Sequence, residues 1–286
     1  MRLGMSSYSL YQAISKGDMD IIDVIDWVKE IGGEHLEIVP MGFDFIEKPD
    51  LIEKVREKAA QLKIDLSNYA IGANFICESD ETYDKEIKRV MQHVDICAQL
   101  GIKFMRHDLA SRDPHERTLD FFIKDLPRLV EACQRIADYA SGKGIVTSIE
   151  NHGFYVQASD RVQTIVRQVN RDNFRTTLDV GNFLCYDENP LTAVKNNLPF
   201  ASVVHIKDFY YRQDKMNRYG GWFETHFGNQ LRGAIVGHGD LPMPEIINLL
   251  KASSFDGYVS IEFEGLEECR FGARASFDYA KSLLFA

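Results

Sequence analysis

The sequence predicts an α/β fold: a single-domain (β/α)8 TIM barrel with a long insertion after the seventh strand. Eight short runs rich in β-branched and aromatic residues alternate with segments of helical period, and no linker or low-complexity tract interrupts the alternation. The length of 286 residues, 45% of them hydrophobic, supports one large core and matches a fold whose typical size is about 250 residues. A doubly wound open sheet shares the alternation but would carry a glycine-rich phosphate loop after its first strand. The segment GMSSYSL holds neither G-x-G-x-x-G nor G-x-x-x-x-G-K-[ST].

The eight strands are expected at Leu3–Ser9, His35–Pro40, Asp65–Ile71, Phe104–Leu109, Val146–Asn151, Arg175–Val180, Ser202–Phe209 and Tyr258–Glu264. Between the third and fourth, Ser79-Asp80 supplies an N-cap, Ile87, Val90, Met91, Val94, Cys97 and Ala98 form one apolar face, and Gly101 supplies the stop. Ser159 opens a second helix with Val162, Ile165, Val166 and Val169 on one face, and Pro244 fits the first turn of a third. Pro127 interrupts the helical pattern of Leu119–Tyr139, so a short helix, a break and a main helix are expected there. From Tyr210 to His238 the chain is too long for an ordinary connection and carries Tyr210, Tyr211, Tyr219, Trp222 and Phe223. It reads as a lid, a subunit contact in a homo-oligomer, or a self-packed surface insertion.

A net charge of −10 repels phosphate backbones and anionic membranes, which argues against nucleic acid as a partner. The five cysteines show no C-x-x-C spacing and read as buried thiols in a reducing compartment. The opening MRLGMSSYSL has one basic residue and no apolar run of signal length, and no stretch approaches about 18 apolar residues. The expectation is a cytoplasmic protein without membrane spans.

Chemistry enters through strand parity. In a barrel strand, alternate residues point inward, and polar inward groups near the C-terminal end are the unusual ones. Ser148, Glu150 and His152 share one parity in the fifth strand, and Thr177, Asp179 and Gly181 in the sixth. Val203, His205 and Lys207 do so in the seventh, and Ser260, Glu262 and Glu264 in the eighth. A single acid near a strand end more often makes a salt bridge than a metal bond. Three carboxylates and an imidazole converging in a low-dielectric interior, however, need a compensating charge, and a divalent cation supplies it. This O3N set suits Mn2+, Mg2+, Co2+ or Zn2+, with no choice among them from sequence.

The motifs TSIENHG, TTLDVGNF, VVHIKD and GYVSIEFEG, in that order, resemble the xylose-isomerase-like barrel superfamily. Its members include keto-sugar epimerases, sugar and inosose isomerases, inosose dehydratases and apurinic-site endonucleases. The resemblance spans nearly the whole chain. It implies metal ligation by Glu150, Asp179, His205 and Glu262, with Glu150 and Glu262 doubling as acid and base on opposite faces of a sugar. A metal that grips a carbonyl and its neighbouring hydroxyl acidifies the adjacent C–H by stabilising the enediolate. Where many relatives have a His in D-x-x-H, this chain has Asn182 (DVGN), which counts against the endonuclease branch.

The implied activity is therefore isomerisation or epimerisation of a keto-sugar or keto-inositol. A dehydratase of a keto-inositol or related polyol is the alternative, and a non-catalytic sugar-binding subunit is a third reading. Around the metal, His152 reads as a substrate or proton-transfer group or a packing residue, and Lys207 as an oxyanion partner or one half of a buried ion pair. Glu37, Arg106 and His107 reach the barrel mouth with parity left open, and Tyr8 and Trp222 could stack on a sugar ring. The histidines at 35, 93 and 115 carry no motif.

Overall fold

The computed structural model describes residues 1–213 and 220–286. Among these residues, eleven strands and nine α-helices follow in chain order: β1 (Arg2–Ser6), α1 (Tyr11–Lys16), α2 (Ile21–Glu30), β2 (His35–Ile38), α3 (Asp50–Leu62), β3 (Asp65–Ile71) and α4 (Asp80–Gln99). Next come β4 (Phe104–His107), α5 (Leu119–Ser141), β5 (Val146–Glu150), α6 (Ser159–Val169), β6 (Phe174–Asp179), α7 (Pro190–Asn197) and β7 (Ala201–Ile206). The chain ends with β8 (Asp208–Arg212), β9 (Phe223–Glu224), β10 (Gln230–Ala234), α8 (Met243–Ala252), β11 (Tyr258–Ile261) and α9 (Cys269–Leu284).

Strands β1 to β7 and β11 close a parallel barrel in sequential order, with β11 sealing against both β7 and β1. This is the expected (β/α)8 barrel, formed as one domain. Helix starts follow local chemistry. Asp20 closes a capping box onto α2, and Ser79 does the same for α4 through Thr82. The apolar faces of the helices pack on the outer surface of the barrel in one continuous core.

Two expectations need correction. Helix α5 runs unbroken through Pro127. The carbonyl that loses its donor belongs to Ile123, which is 59% exposed, so water can take the place of the missing N–H. The seventh strand also stops earlier than Phe209. The Asp208 side chain accepts from the N–H groups of Phe209, Gly237, Gly239 and Leu241, turning the chain out of the barrel into β8.

Strands β8, β10 and β9 then form a small antiparallel sheet from the described part of the insertion; Tyr219 lies outside the described residues. This sheet leans on the barrel mouth. Gly233 in β10 passes so close to the loop after β11 that a Cβ there would overlap the Glu264 carbonyl. Among the described residues, no helix is long and apolar enough to cross a membrane, and the cysteines are free thiols, four buried and Cys77 half-buried.

Candidate metal centre

The inward positions of the barrel stack in layers. Ser148 and Thr177 are joined by a 2.9 Å hydrogen bond between hydroxyls, and with buried Val203 and Ser260 they make a floor of small side chains. Above that floor sit Glu150, Asp179, His205 and Glu262, all buried, with one potential ligand atom from each within 4.8 Å of every other. The shared parity read from the sequence is thus the parity of the barrel.

His205 is the pivot. Its Nε2 lies 2.7 Å from Glu37 Oε2, and Asn68 donates to the same carboxylate oxygen at 2.8 Å. That contact fixes the ring, and Nδ1 is left buried with no hydrogen-bond partner among the described residues. Around Nδ1 lie Glu262 Oε2 at 3.7 Å, Asp179 Oδ2 at 3.8 Å and Glu150 Oε1 at 3.9 Å. Asp179 is oriented by its other oxygen, which accepts from the backbone N–H groups of Gly181 and Asn182 at 2.8 Å each. Its Oδ2 has no hydrogen bond among the described residues and meets the charge of Lys207.

Two permanent cations border the cluster. Arg106 Nε lies 2.8 Å from Glu150 Oε2, and its Nη2 lies 2.7 Å from Asp108. Lys207 Nζ reaches Glu262 Oε2 at 2.6 Å, Glu264 at 3.0 Å and Asp179 Oδ2 at 3.3 Å. Both readings of Lys207, ion pairing and contact with the metal centre, meet in this geometry. Asn182, where many relatives have His, donates to Glu150 Oε1 at 2.9 Å and accepts from Lys207 at 3.3 Å, tying the two sides together.

Titration behaviour records the crowding. Burial disfavours the charged form of His205, yet Glu37 and Glu262 outweigh it and raise its pKa to about 10. Burial, with Glu150 and Glu262 nearby, pushes the Asp179 carboxyl up. Glu262 resists burial and is held down by Lys207 and His205. Counted as charged, Glu37, Asp108, Glu150, Asp179, Glu262 and Glu264 outnumber Arg106 and Lys207 by four, and a proton on His152 beside Asp108 reduces the excess to three. A proton on His205 offsets one of them, whereas a divalent ion in its place offsets two. The donor set, the unpartnered Nδ1 and this charge excess all fit a divalent cation.

The site opens into a cavity of about 540 Å³ lined by Glu150, His205, Glu262, Arg106, Lys207, His152 and Tyr8, among others. His152 is half exposed at the rim, with Nδ1 3.0 Å from Asp108. Glu37 and His107 are not part of the lining. Glu37 lies beneath His205, and His107 points away from the axis, edge-on to Phe75, with Nδ1 on the Asp108 carbonyl. Trp222 also lies outside the lining, beside the guanidinium groups of Arg232 at 5.3 Å and Arg212 at 6.0 Å. Asp108 and Asn182 join the site although neither was assigned a role in it from sequence. Asp108 stands next to Arg106 and His107 but follows the end of β4, and Asn182 opens a 3-10 helix after β6; strand parity gives no guidance at either place.

A family model described as xylose isomerase-like TIM barrel matches residues 25–283. The chain belongs to that family. No curated protein matches it significantly, but many solved structures share its fold. A probable 3-DHS dehydratase of Bacillus anthracis superposes with a TM-score of 0.77 at 13% identity, covering 97% of this chain and 98% of that one. A 3-keto-D-glucoside 4-epimerase of E. coli gives 0.75 at 16% identity, covering 99% of each chain. D-psicose 3-epimerase of Clostridium cellulolyticum H10 gives the same score, identity and coverage. At these identities the likeness is one of fold.

Proposed function

We propose that the protein is a divalent-metal-dependent isomerase or epimerase of a keto-sugar or keto-inositol. The observation that carries this reading is the unpartnered Nδ1 of His205 facing three carboxylates, two of which, Glu150 and Glu262, line an open cavity. Held by Glu150, Asp179, His205 and Glu262, a divalent cation would supply Lewis acidity toward a carbonyl and its adjacent hydroxyl as the neighbouring C–H proton leaves. Mn2+ is the ion to test first, ahead of Mg2+, Co2+ and Zn2+.

The chain's own groups divide the remaining work. Glu150 and Glu262 belong to barrel segments separated by β6 and β7, so they approach a bound substrate from different sides. One removes the proton and the other returns one to the opposite face, which inverts the carbon. Arg106 engages Glu150 Oε2, and Lys207 engages Glu262 Oε2; both contacts limit the rotation of these carboxylates. His152 and Tyr8, at the rim, are placed to hold substrate hydroxyls. The fold relatives named as epimerases support the same reaction class.

One observation favours a second reaction on the same site. The Asp108 carboxylate, 3.0 Å from His152 Nδ1, favours the protonated imidazole and raises its pKa, giving a proton donor at the rim able to protonate a departing hydroxyl. A dehydratase would use it, as the likeness to a probable dehydratase also suggests. The deciding experiment is turnover of ketoses and inososes in deuterated water. Exchange at the carbon beside the carbonyl that needs added metal supports isomerisation, and an enone chromophore supports dehydration. Full activity after metal stripping, or no exchange with any of them, counts against both.

A further inference from the structure

The cavity has two ends, and the metal centre accounts for only one. The other runs outward between β2, β3 and α4, where Met41, Phe43, Asp44, Gly72, Arg89 and His93 line it. Among the described residues no hydrogen bond or ion pair joins them to the metal ligands, and three keep free hydrogen-bonding capacity. His93 is only 8% exposed, its Nδ1 is bonded to the Tyr69 hydroxyl at 2.9 Å, and its Nε2 has no partner among the described residues. With the hydroxyl donating to Nδ1, Nε2 carries the ring's proton.

Arg89 spends Nε and Nη2 on Glu86 and on the Gly72 carbonyl, which leaves Nη1 uncommitted. Asp44 accepts from the Ile46 N–H with Oδ1 and keeps Oδ2 open. Two donors and an acceptor beside Phe43 and Met41 make the kind of lining that holds an uncharged polyol ring: apolar contact for its C–H face, polar atoms for its hydroxyls. An anion is a poorer match, because Glu86 and Asp44 already balance Arg89. Between the two ends stands Gly72, where an added Cβ would meet nothing nearer than Asp108 Oδ2 at 3.8 Å.

Resting on the sugar reading of the metal centre, we propose that the substrate is a disaccharide whose keto-sugar unit keeps its carbonyl free and carries a second sugar ring through one of its other hydroxyls. Its reacting ring would lie at Glu150 and Glu262, and a second, uncharged sugar ring would lie against Phe43 with hydroxyls on Asp44, Arg89 and His93. The test is calorimetric binding to the Mn2+-loaded protein of fructose and of turanose, maltulose and isomaltulose, three disaccharides in which glucose is joined to fructose. At least one disaccharide should bind tenfold or more tighter than fructose. That ratio should fall toward one in Asp44→Ala, and also in Gly72→Leu, which fills the passage without removing a polar group, each variant being checked for fold by circular dichroism.

Equal affinity for fructose and all three disaccharides would overturn the inference, as would a ratio that survives both substitutions. Should Asp44→Ala fail to fold, Gly72→Leu decides. If the protein holds Mn2+ but binds none of these sugars, the sugar reading of the centre falls, and this inference with it. Fructose binding without a disaccharide advantage removes only the second ring.

Discussion

Glu37 Oε2 and His205 Nε2 are 2.7 Å apart in the barrel interior, and this contact turns the opposite ring nitrogen toward three carboxylates. A carboxylate behind a ligating imidazole fixes the tautomer and raises ligand basicity. Glu37→Gln should therefore leave the fold intact and weaken divalent-metal affinity by about 10- to 100-fold, read by competition with a chelator. Unchanged affinity would mean that Glu37 serves packing alone.

Glu150→Gln and Glu262→Gln test the proton-transfer roles. Each should lower kcat by orders of magnitude, with a native circular dichroism spectrum. A variant that keeps a tenth of the wild-type rate would reassign its residue as a ligand only.

The buried histidines predict an acid transition distant from the metal centre. At the other end of the barrel, His35 is bonded through Nδ1 to Ser67 and through Nε2 to the Val259 carbonyl. Burial lowers its pKa from 6.5 to about 4. Below pH 6.5 the unfolded chain binds a proton that the folded chain refuses, so stability present above 6.5 is lost as pH falls toward 4, at about 1.4 kcal/mol per pH unit. His205 acts in another window. Its pKa is raised, so its contribution is complete below 6.5. Urea midpoints between pH 7 and 4.5 should fall less steeply in His35→Asn than in the wild type; equal slopes would show that His35 is not the titrating group.

Gly233→Ala tests how the insertion is joined to the centre. The new Cβ would stand 2.2 Å from the Glu264 carbonyl and 3.0 Å from the Gly265 nitrogen, backbone atoms that cannot rotate aside. A loss of roughly 1–3 kcal/mol in unfolding free energy is expected, with weaker metal binding because Glu262 and Glu264 must shift. A wild-type denaturation midpoint would show that β10 relaxes freely.

How much of this was legible beforehand varied with the local pattern. Strands β5, β6, β7 and β11 place polar side chains against aliphatic neighbours at period two, so their inward set could be read directly. The short β4 is buried at Met105, Arg106 and His107 alike, which leaves no alternation to set the phase. Arg106 proved to face the cavity, while His107 faces the helices. The sequence puts Glu37 at the mouth, but its partner in space, His205, is 168 positions away. Asn182 was visible as a departure from D-x-x-H, yet its bridge from Glu150 to Lys207 depends on a turn that strand periodicity does not describe. His93 carried no motif because its significance comes from Tyr69 and the cavity wall, not from its neighbours in sequence.

The central claim is that Glu150, Asp179, His205 and Glu262 together hold one divalent cation, and equilibrium dialysis with elemental analysis measures it directly. The wild-type chain loaded with Mn2+ should retain one ion per chain, and His205→Ala should retain almost none. A wild-type protein that holds no ion, or a His205→Ala variant that keeps its ion with undiminished affinity, would contradict the claim.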